Sequence, residues 1–190
     1  MSINRKSIWI ASAGLVLGVA AVAYARRKNY APLPVAPHVD LNRYMGEWYE
    51  IAHFPESFEK DTYGTKANYT LRDDGSVEVL NTSHKGSLTG ELKTARGKAT
   101  VADATTNAKL EVTFAWPFKG DYWILDVDDN YQHALVGVPS RDSLWILSRT
   151  AKINLETLQL LTAKAQELGF DTSRFIYTSQ SGRQVRAVSA

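Results

Sequence analysis

The chain is 190 residues long, the size of one domain with appendages, and its lack of cysteine excludes disulfides, thiolate metal sites and cysteine nucleophiles. Its formal charge of +2 is uneven: residues 1–28 hold five of the 22 basic residues and no acid, leaving 17 basic against 20 acidic residues in the rest. A mildly acidic body without a basic cluster argues against nucleic-acid binding.

The first element in chain order is an apolar run at 8–25, "IWIASAGLVLGVAAVAYA", with Arg5 and Lys6 before it and Arg26, Arg27 and Lys28 after it. It is close to the ~20 residues that cross a bilayer as a helix. Two readings of residues 1–30 stay open. Ala23-Tyr24-Ala25 fits a cleaved signal peptide, whereas the length of the run and the basic residues after it fit an uncleaved membrane anchor. Basic flanks on both sides leave the orientation unreadable. Residues 31–38, "APLPVAPH", hold three prolines and are expected to form an extended linker. A single domain is expected over 39–180, with a short tail at 181–190.

From residue 44 the hydrophobic period is two, and strands are expected at 48–54, 63–71, 76–83, 90–102, 108–116, 121–128, 133–139 and 143–149. Asp73-Asp74-Gly75 is a hairpin turn between the second and third. In the fifth, Leu110, Val112, Phe114 and Trp116 alternate with Glu111, Thr113 and Ala115. The eighth is apolar on both faces, Leu144 and Ile146 on one and Trp145 and Leu147 on the other. A strand of that kind is covered on both sides. The period then changes to that of a helix capped by Asn154 and stopped by Gly169, with Leu155, Leu158, Leu161, Ala165 and Leu168 as its apolar stripe. A short strand at 175–178 follows. The pattern describes an all-β, eight-stranded antiparallel up-and-down barrel with a C-terminal α-helix packed outside, plus an N-terminal hydrophobic helix.

Three separated segments carry a family resemblance: Gly46-x-Trp48 in "RYMGEWYEIAHF", Asp128-x-x-Tyr131 in "YWILDVDDNYQHALVG", and Arg149 in "LWILSRT". Together they resemble the lipocalins, in particular the bacterial group related to apolipoprotein D, over residues 39–180. Val127 stands where the family usually has threonine. The resemblance implies that Trp48 closes the barrel floor with Arg149 packed across its indole, a cation–π contact. It makes Gly46, Trp48, Asp128, Tyr131 and Arg149 structural signatures rather than ligand contacts.

If Arg149 points inward, parity places Leu147 and Trp145 inside, and Leu110, Val112 and Phe114 on the inner face of the fifth strand. Tyr122 is taken as inward in the sixth strand because the family commonly places an aromatic there. Tyr69 and Ala67 are taken as inward in the second. The expected ligand-binding residues are Tyr44, Tyr69, Phe114, Tyr122 and Trp145, an aromatic-rich lining. Glu50, with the parity of Trp48, is a candidate buried carboxylate that pairs with Arg149 or another cation.

Such a cavity favours a small apolar ligand, a fatty acid or lysophospholipid, with the phenols available to a polar headgroup. The bacterial members of the family are generally regarded as lipid binders. The resemblance therefore implies a non-enzymatic carrier at the bacterial cell envelope, partnered by lipid and membrane; a homodimer is compatible with the sequence. Many bacterial relatives carry a lipobox cysteine, and this chain has none. The alternative is a lipocalin-fold enzyme acting on an apolar ligand. His38, His53, His84 and His133 lack metal-ligand spacing, and neither metal nor cofactor is expected.

Overall fold

A computed structural model describes residues 30–56 and 61–181. The apolar run at 8–25 and the tail beyond residue 181 lie outside the described residues. Among the described residues no helix is long and apolar enough to cross a membrane.

Eight antiparallel strands follow one another as a meander: β1 (Gly46–His53), β2 (Thr62–Leu71), β3 (Val77–Lys85), β4 (Leu92–Val101), β5 (Lys109–Ala115), β6 (Phe118–Val127), β7 (His133–Gly137) and β8 (Leu144–Ser148). Each pairs with the next, and β1 closes the barrel by pairing with both β8 and β2. A one-turn helix α1 (Leu41–Tyr44) precedes β1 at the closed end, or floor. Helix α2 (Leu155–Glu167) lies outside the barrel, and a two-residue strand β9 (Ile176–Tyr177) pairs with β1 at Ala52 and His53.

Closure is shared between backbone and tail. The register of β1 and β2 runs only from Gly46↔Tyr69 to Tyr49↔Lys66. Nearer the mouth the C-terminal segment bridges the seam. Gly64 N–H donates to Ser179 O at 2.9 Å, and Gln180 Nε2 donates to Glu50 O at 2.7 Å and Thr65 O at 2.8 Å. Strand edges that would otherwise lack partners are thereby paired.

The two faces of β8 explain the layering. Leu147 joins the interior cluster with Trp48, Val112 and Ile124, and Trp145 packs against it. Leu144 and Ile146 face outward and meet Leu161 and Ala165 of α2 together with Phe54 and Phe170. Asn154 caps α2 by accepting from Thr157 N at 2.7 Å. Leu155, placed on the buried stripe by periodicity, is 68% exposed because it occupies the first turn, ahead of the part of the helix that reaches the sheet.

Several strand ends depart from those expected. β6 starts at Phe118 rather than 121, because the turn after β5 takes only Trp116 and Pro117. The β7–β8 ladder stops at Gly137 and Leu144, since Val138 and Ser143 bracket a turn with Arg141 at φ 62°. A bulge between Ile124 and Asp126 breaks the alternation of β6. Asp126 consequently lies near Lys164 of the outer helix, while Val127 packs on the interior cluster.

The proline-rich segment is extended yet packed. Leu33, Ala36 and Val39 are buried. Ala36 N–H donates to Ile124 O at 3.0 Å and Val39 N–H to Thr106 O at 2.8 Å. The segment thus descends the barrel wall, from the β7–β8 turn at the mouth to the β4–β5 turn at the floor.

The floor is built on Arg149. Its guanidinium carbon lies 3.8 Å from the Trp48 ring centroid. Its nitrogens donate to Glu47 O, Arg43 O and Met45 O at 2.8 Å each and to Tyr131 O at 3.2 Å. The Trp48 indole N–H donates to Tyr44 O at 2.8 Å. Gly46 adopts φ +92°, a left-handed conformation that brings the chain under the barrel. Asp128 Oδ1 accepts from Gln132 N at 2.6 Å and His133 N at 2.7 Å, fixing the turn that carries Tyr131. Tyr131 in turn accepts from Asp40 N at 2.8 Å and lies 4.2 Å under the Arg43 guanidinium. Replacing Arg149 by Ala is expected to lower unfolding stability by about 2–3 kcal/mol, through lost carbonyl partners and the lost stacking. Arg149→Lys should recover less than half of that, because an ammonium lacks the guanidinium fork; urea denaturation of the three proteins measures both.

Candidate functional site

The barrel interior is not filled. A cavity of about 140 Å³ runs along it, room for on the order of ten water-sized groups. Tyr44, Tyr69, Phe114, Tyr122 and Trp145, the five residues expected to line a pocket, all border it, as do Ala67, Leu110, Val112 and Leu147. The arrangement is graded by depth. Tyr69 pairs with Gly46 near the floor, whereas Phe114 and Trp145 sit on strand segments that approach the mouth.

The floor of the cavity is a cluster of phenols. The Tyr122 hydroxyl lies 2.8 Å from that of Tyr44 and 2.9 Å from that of Tyr69. The Tyr44 and Tyr69 rings stack at 5.8 Å, and Tyr44 also meets Trp48 at 5.0 Å. Burial pushes all three phenol pKa values up, that of Tyr69 to about 12. For Tyr69 the nearby Glu50 carboxylate adds to the rise, while the hydrogen bond to Tyr122 and the Arg149 cation oppose it. The floor therefore presents neutral hydroxyls over a wide pH range.

Glu50 is buried, as its parity suggests, and borders the cavity. Its carboxylate accepts from the Thr178 hydroxyl of the seam-bridging tail, while Arg149 directs its hydrogen bonds to backbone carbonyls. Glu50 was expected to pair with Arg149 or another cation; Arg149 serves backbone carbonyls instead, and Glu50 is tied to the C-terminal segment, which lies too far along the chain for parity to indicate.

Sequence reasoning passed over a polar set at mid-height: Thr65, Asn81 and Ser83 border the cavity too. Thr65 Oγ1 and Asn81 Oδ1 are buried and find no hydrogen-bond partner among the described residues. Parity carried forward from Val79, and backward from Ala67, indicates all three. Gly97 was also missed. A Cβ there would come within 2.9 Å of the Phe114 ring and 3.0 Å of Thr113 O, so its absence lets that ring lie against the wall. Among the described residues no His, Asp and Glu cluster could hold a metal ion.

An up-and-down barrel with an aromatic interior, an arginine-stacked tryptophan floor and one outer helix defines a ligand-binding barrel of the lipocalin type. Residues 39–180 match the family model for the lipocalin-like domain, and the chain belongs to that family. It is 44% identical over 158 residues to temperature-induced lipocalin-1 of Arabidopsis thaliana, covering 78% of this chain and 83% of that protein. It is also 44% identical over 148 residues to the outer membrane lipoprotein Blc of Escherichia coli K12, with the same coverage, and 33% identical over 154 residues to bovine apolipoprotein D, covering 77% and 80%. Solved structures agree in fold: lobster apocrustacyanin A1 at TM-score 0.61 (18% identity, 83% of this chain and 94% of that one), and insecticyanin from the tobacco hornworm at 0.63 (23% identity, 80% and 87%).

Two measurements test this geometry. The folded-state pKa of Tyr69, about 12, lies above its ordinary 10.0, so its contribution to stability is complete below pH 10 and lost as pH rises through 12. The stability difference between wild type and Tyr69→Phe should shift by about 2–3 kcal/mol across that window, read by urea melts. Gly97→Ala should destabilise by about 1–2 kcal/mol through overpacking against Phe114, and should weaken binding of any ligand that reaches past that ring.

Proposed function

We propose that this lipocalin carries or stores fatty acids or lysophospholipids at a bacterial cell envelope, binding them without chemical turnover. The observation that carries the reading is the unfilled, aromatic-lined cavity, which offers apolar surface along its length and a few polar groups at defined depths. Withdrawing ~10 methylenes from water supplies ~8 kcal/mol of gross driving force before entropic costs, enough for a carrier. The names of the similar proteins point the same way, one an outer membrane lipoprotein and another an apolipoprotein.

The envelope placement has two supports. One is the apolar run at 8–25, read as an anchor or export signal. The other is the path of the segment that follows it. Arg141, in the β7–β8 turn at the mouth, donates to Ala31 O at 3.1 Å and Pro32 O at 2.9 Å. The linker thus enters at the open end rather than the floor, which would turn the mouth toward the membrane if the run at 8–25 is retained as an anchor. Trp116, 88% exposed, and Phe118 stand on the same rim. An amphipathic aromatic rim suits the headgroup region of a bilayer.

The test is a fluorescence titration of the full-length protein with a fatty-acid probe, repeated on Trp145→Ala and Phe114→Ala. The expected outcome is saturable binding, weakened about fivefold or more by each change, with the ligand recovered chemically intact. A well-folded protein that binds no probe would refute the carrier reading.

A further inference from the structure

The phenol cluster has a proton count that packing alone does not require. A phenol donates one hydrogen bond and can accept others. Tyr44, Tyr69 and Tyr122 bring three O–H protons together, but among the described residues their hydroxyls make two contacts, both centred on Tyr122. Whichever way those two bonds point, one proton is left over. If Tyr44 donates to Tyr122 and Tyr122 to Tyr69, the surplus sits on Tyr69. If both outer phenols donate to Tyr122, it sits on Tyr122. Among the described residues no further acceptor meets these hydroxyls. Ionisation does not relieve the surplus either, because burial holds the phenols in their protonated forms.

This donor borders the deep part of the cavity, beside apolar side chains such as Val77, Ala99 and Leu110. A plain alkyl chain inserted tail-first would end its methyl group against an unsatisfied O–H, a costly pairing. A carboxylate placed there would be desolvated and would meet the field of Glu50, the same influences that disfavour a Tyr69 phenolate. An uncharged oxygen accepts the proton without either cost.

We infer that the phenol cluster is a subsite for an uncharged oxygen at the buried end of the ligand, so that the cavity prefers acyl chains with a distal hydroxyl or carbonyl. This rests on the fatty-acyl reading of the cavity and specifies which acyl chains it selects. The ionic or headgroup end then stays toward the mouth, and the distal oxygen is read at the floor.

The experiment is displacement of a fluorescent fatty-acid probe from the full-length protein by dodecanoic, 12-hydroxydodecanoic and 2-hydroxydodecanoic acids. In the wild type the 12-hydroxy acid is expected to bind at least as tightly as the plain acid, and about tenfold more tightly than its 2-hydroxy isomer. The isomer comparison needs no variant. In the triple variant Tyr44→Phe/Tyr69→Phe/Tyr122→Phe, the affinity of the 12-hydroxy acid relative to dodecanoic acid should fall about tenfold or more. Retained binding of dodecanoic acid would report an intact cavity. The single variant Tyr69→Phe leaves two phenols sharing one contact, still with one spare proton, and should keep the preference. Equal affinity for the two hydroxy isomers in the wild type, or an unchanged ratio in the triple variant, would overturn the inference. Failure of all three acids to displace the bound probe from the wild type would overturn the fatty-acyl reading itself, and this inference with it.

Discussion

The guanidinium of Arg149 is the interaction on which the barrel depends. It covers the Trp48 indole and takes up carbonyl oxygens from Arg43, Met45, Glu47 and Tyr131, four points on two separate stretches of chain. The last carbonyls of a one-turn helix have no partners within it, and the guanidinium supplies several donors in fixed directions. Entry helix, first strand, the β6–β7 turn and the end of the eighth strand are thereby fixed to one planar group. The positive φ of Gly46 follows from the same constraint, since the chain turns sharply to bring Met45 O and Glu47 O to one cation.

A second arginine repeats the device at the other end. Arg141 donates to carbonyls of Leu168, Ala31, Pro139 and Pro32 at 2.9–3.1 Å, joining the C-terminus of α2, the β7–β8 turn and the incoming linker. Both arginines lie just outside regular strands, where backbone acceptors are left over. Between them the sheet needs little beyond its own ladders and a tail that bridges the β1–β2 seam. Holding the irregular chain at the two ends leaves the middle of the barrel free to be hollow.

Much of this is legible in the sequence because the strands carry period two, and β8 shows the limiting case. Its doubly apolar pattern, Leu144 and Ile146 against Trp145 and Leu147, separates the outer helix from the interior without further information. Parity also brings Leu110, Val112 and Phe114 to the cavity. It fails where the ladder slips: the bulge in β6 carries Asp126 out toward Lys164, and no residue of that strand announces it. The partners of Glu50 and of the linker were illegible for another reason. Thr178, Gln180 and Arg141 lie 128, 130 and 109–110 residues from the groups they contact, and nothing local in the sequence encodes such pairings. Asn81 and Thr65 were legible but passed over, since polar residues read as solvent-facing until parity is followed through them.

Hollowness has an energetic consequence that links the two ends to the ligand. Left dry, a void of 140 Å³ would cost on the order of 3 kcal/mol of stability. That is about the size of the contribution expected from the Arg149 lock. The protein thus sustains an unfilled interior by concentrating its stabilisation at the floor, where Trp48 and Arg149 exclude water, rather than by packing the barrel throughout. Among the described residues, one phenol proton at the floor and Thr65 Oγ1 and Asn81 Oδ1 above it are left without partners, on residues that border the cavity. A ligand that fills the void and also supplies oxygen to the floor removes both costs at once, so the stability the fold gives up in its centre is recovered as affinity and selectivity.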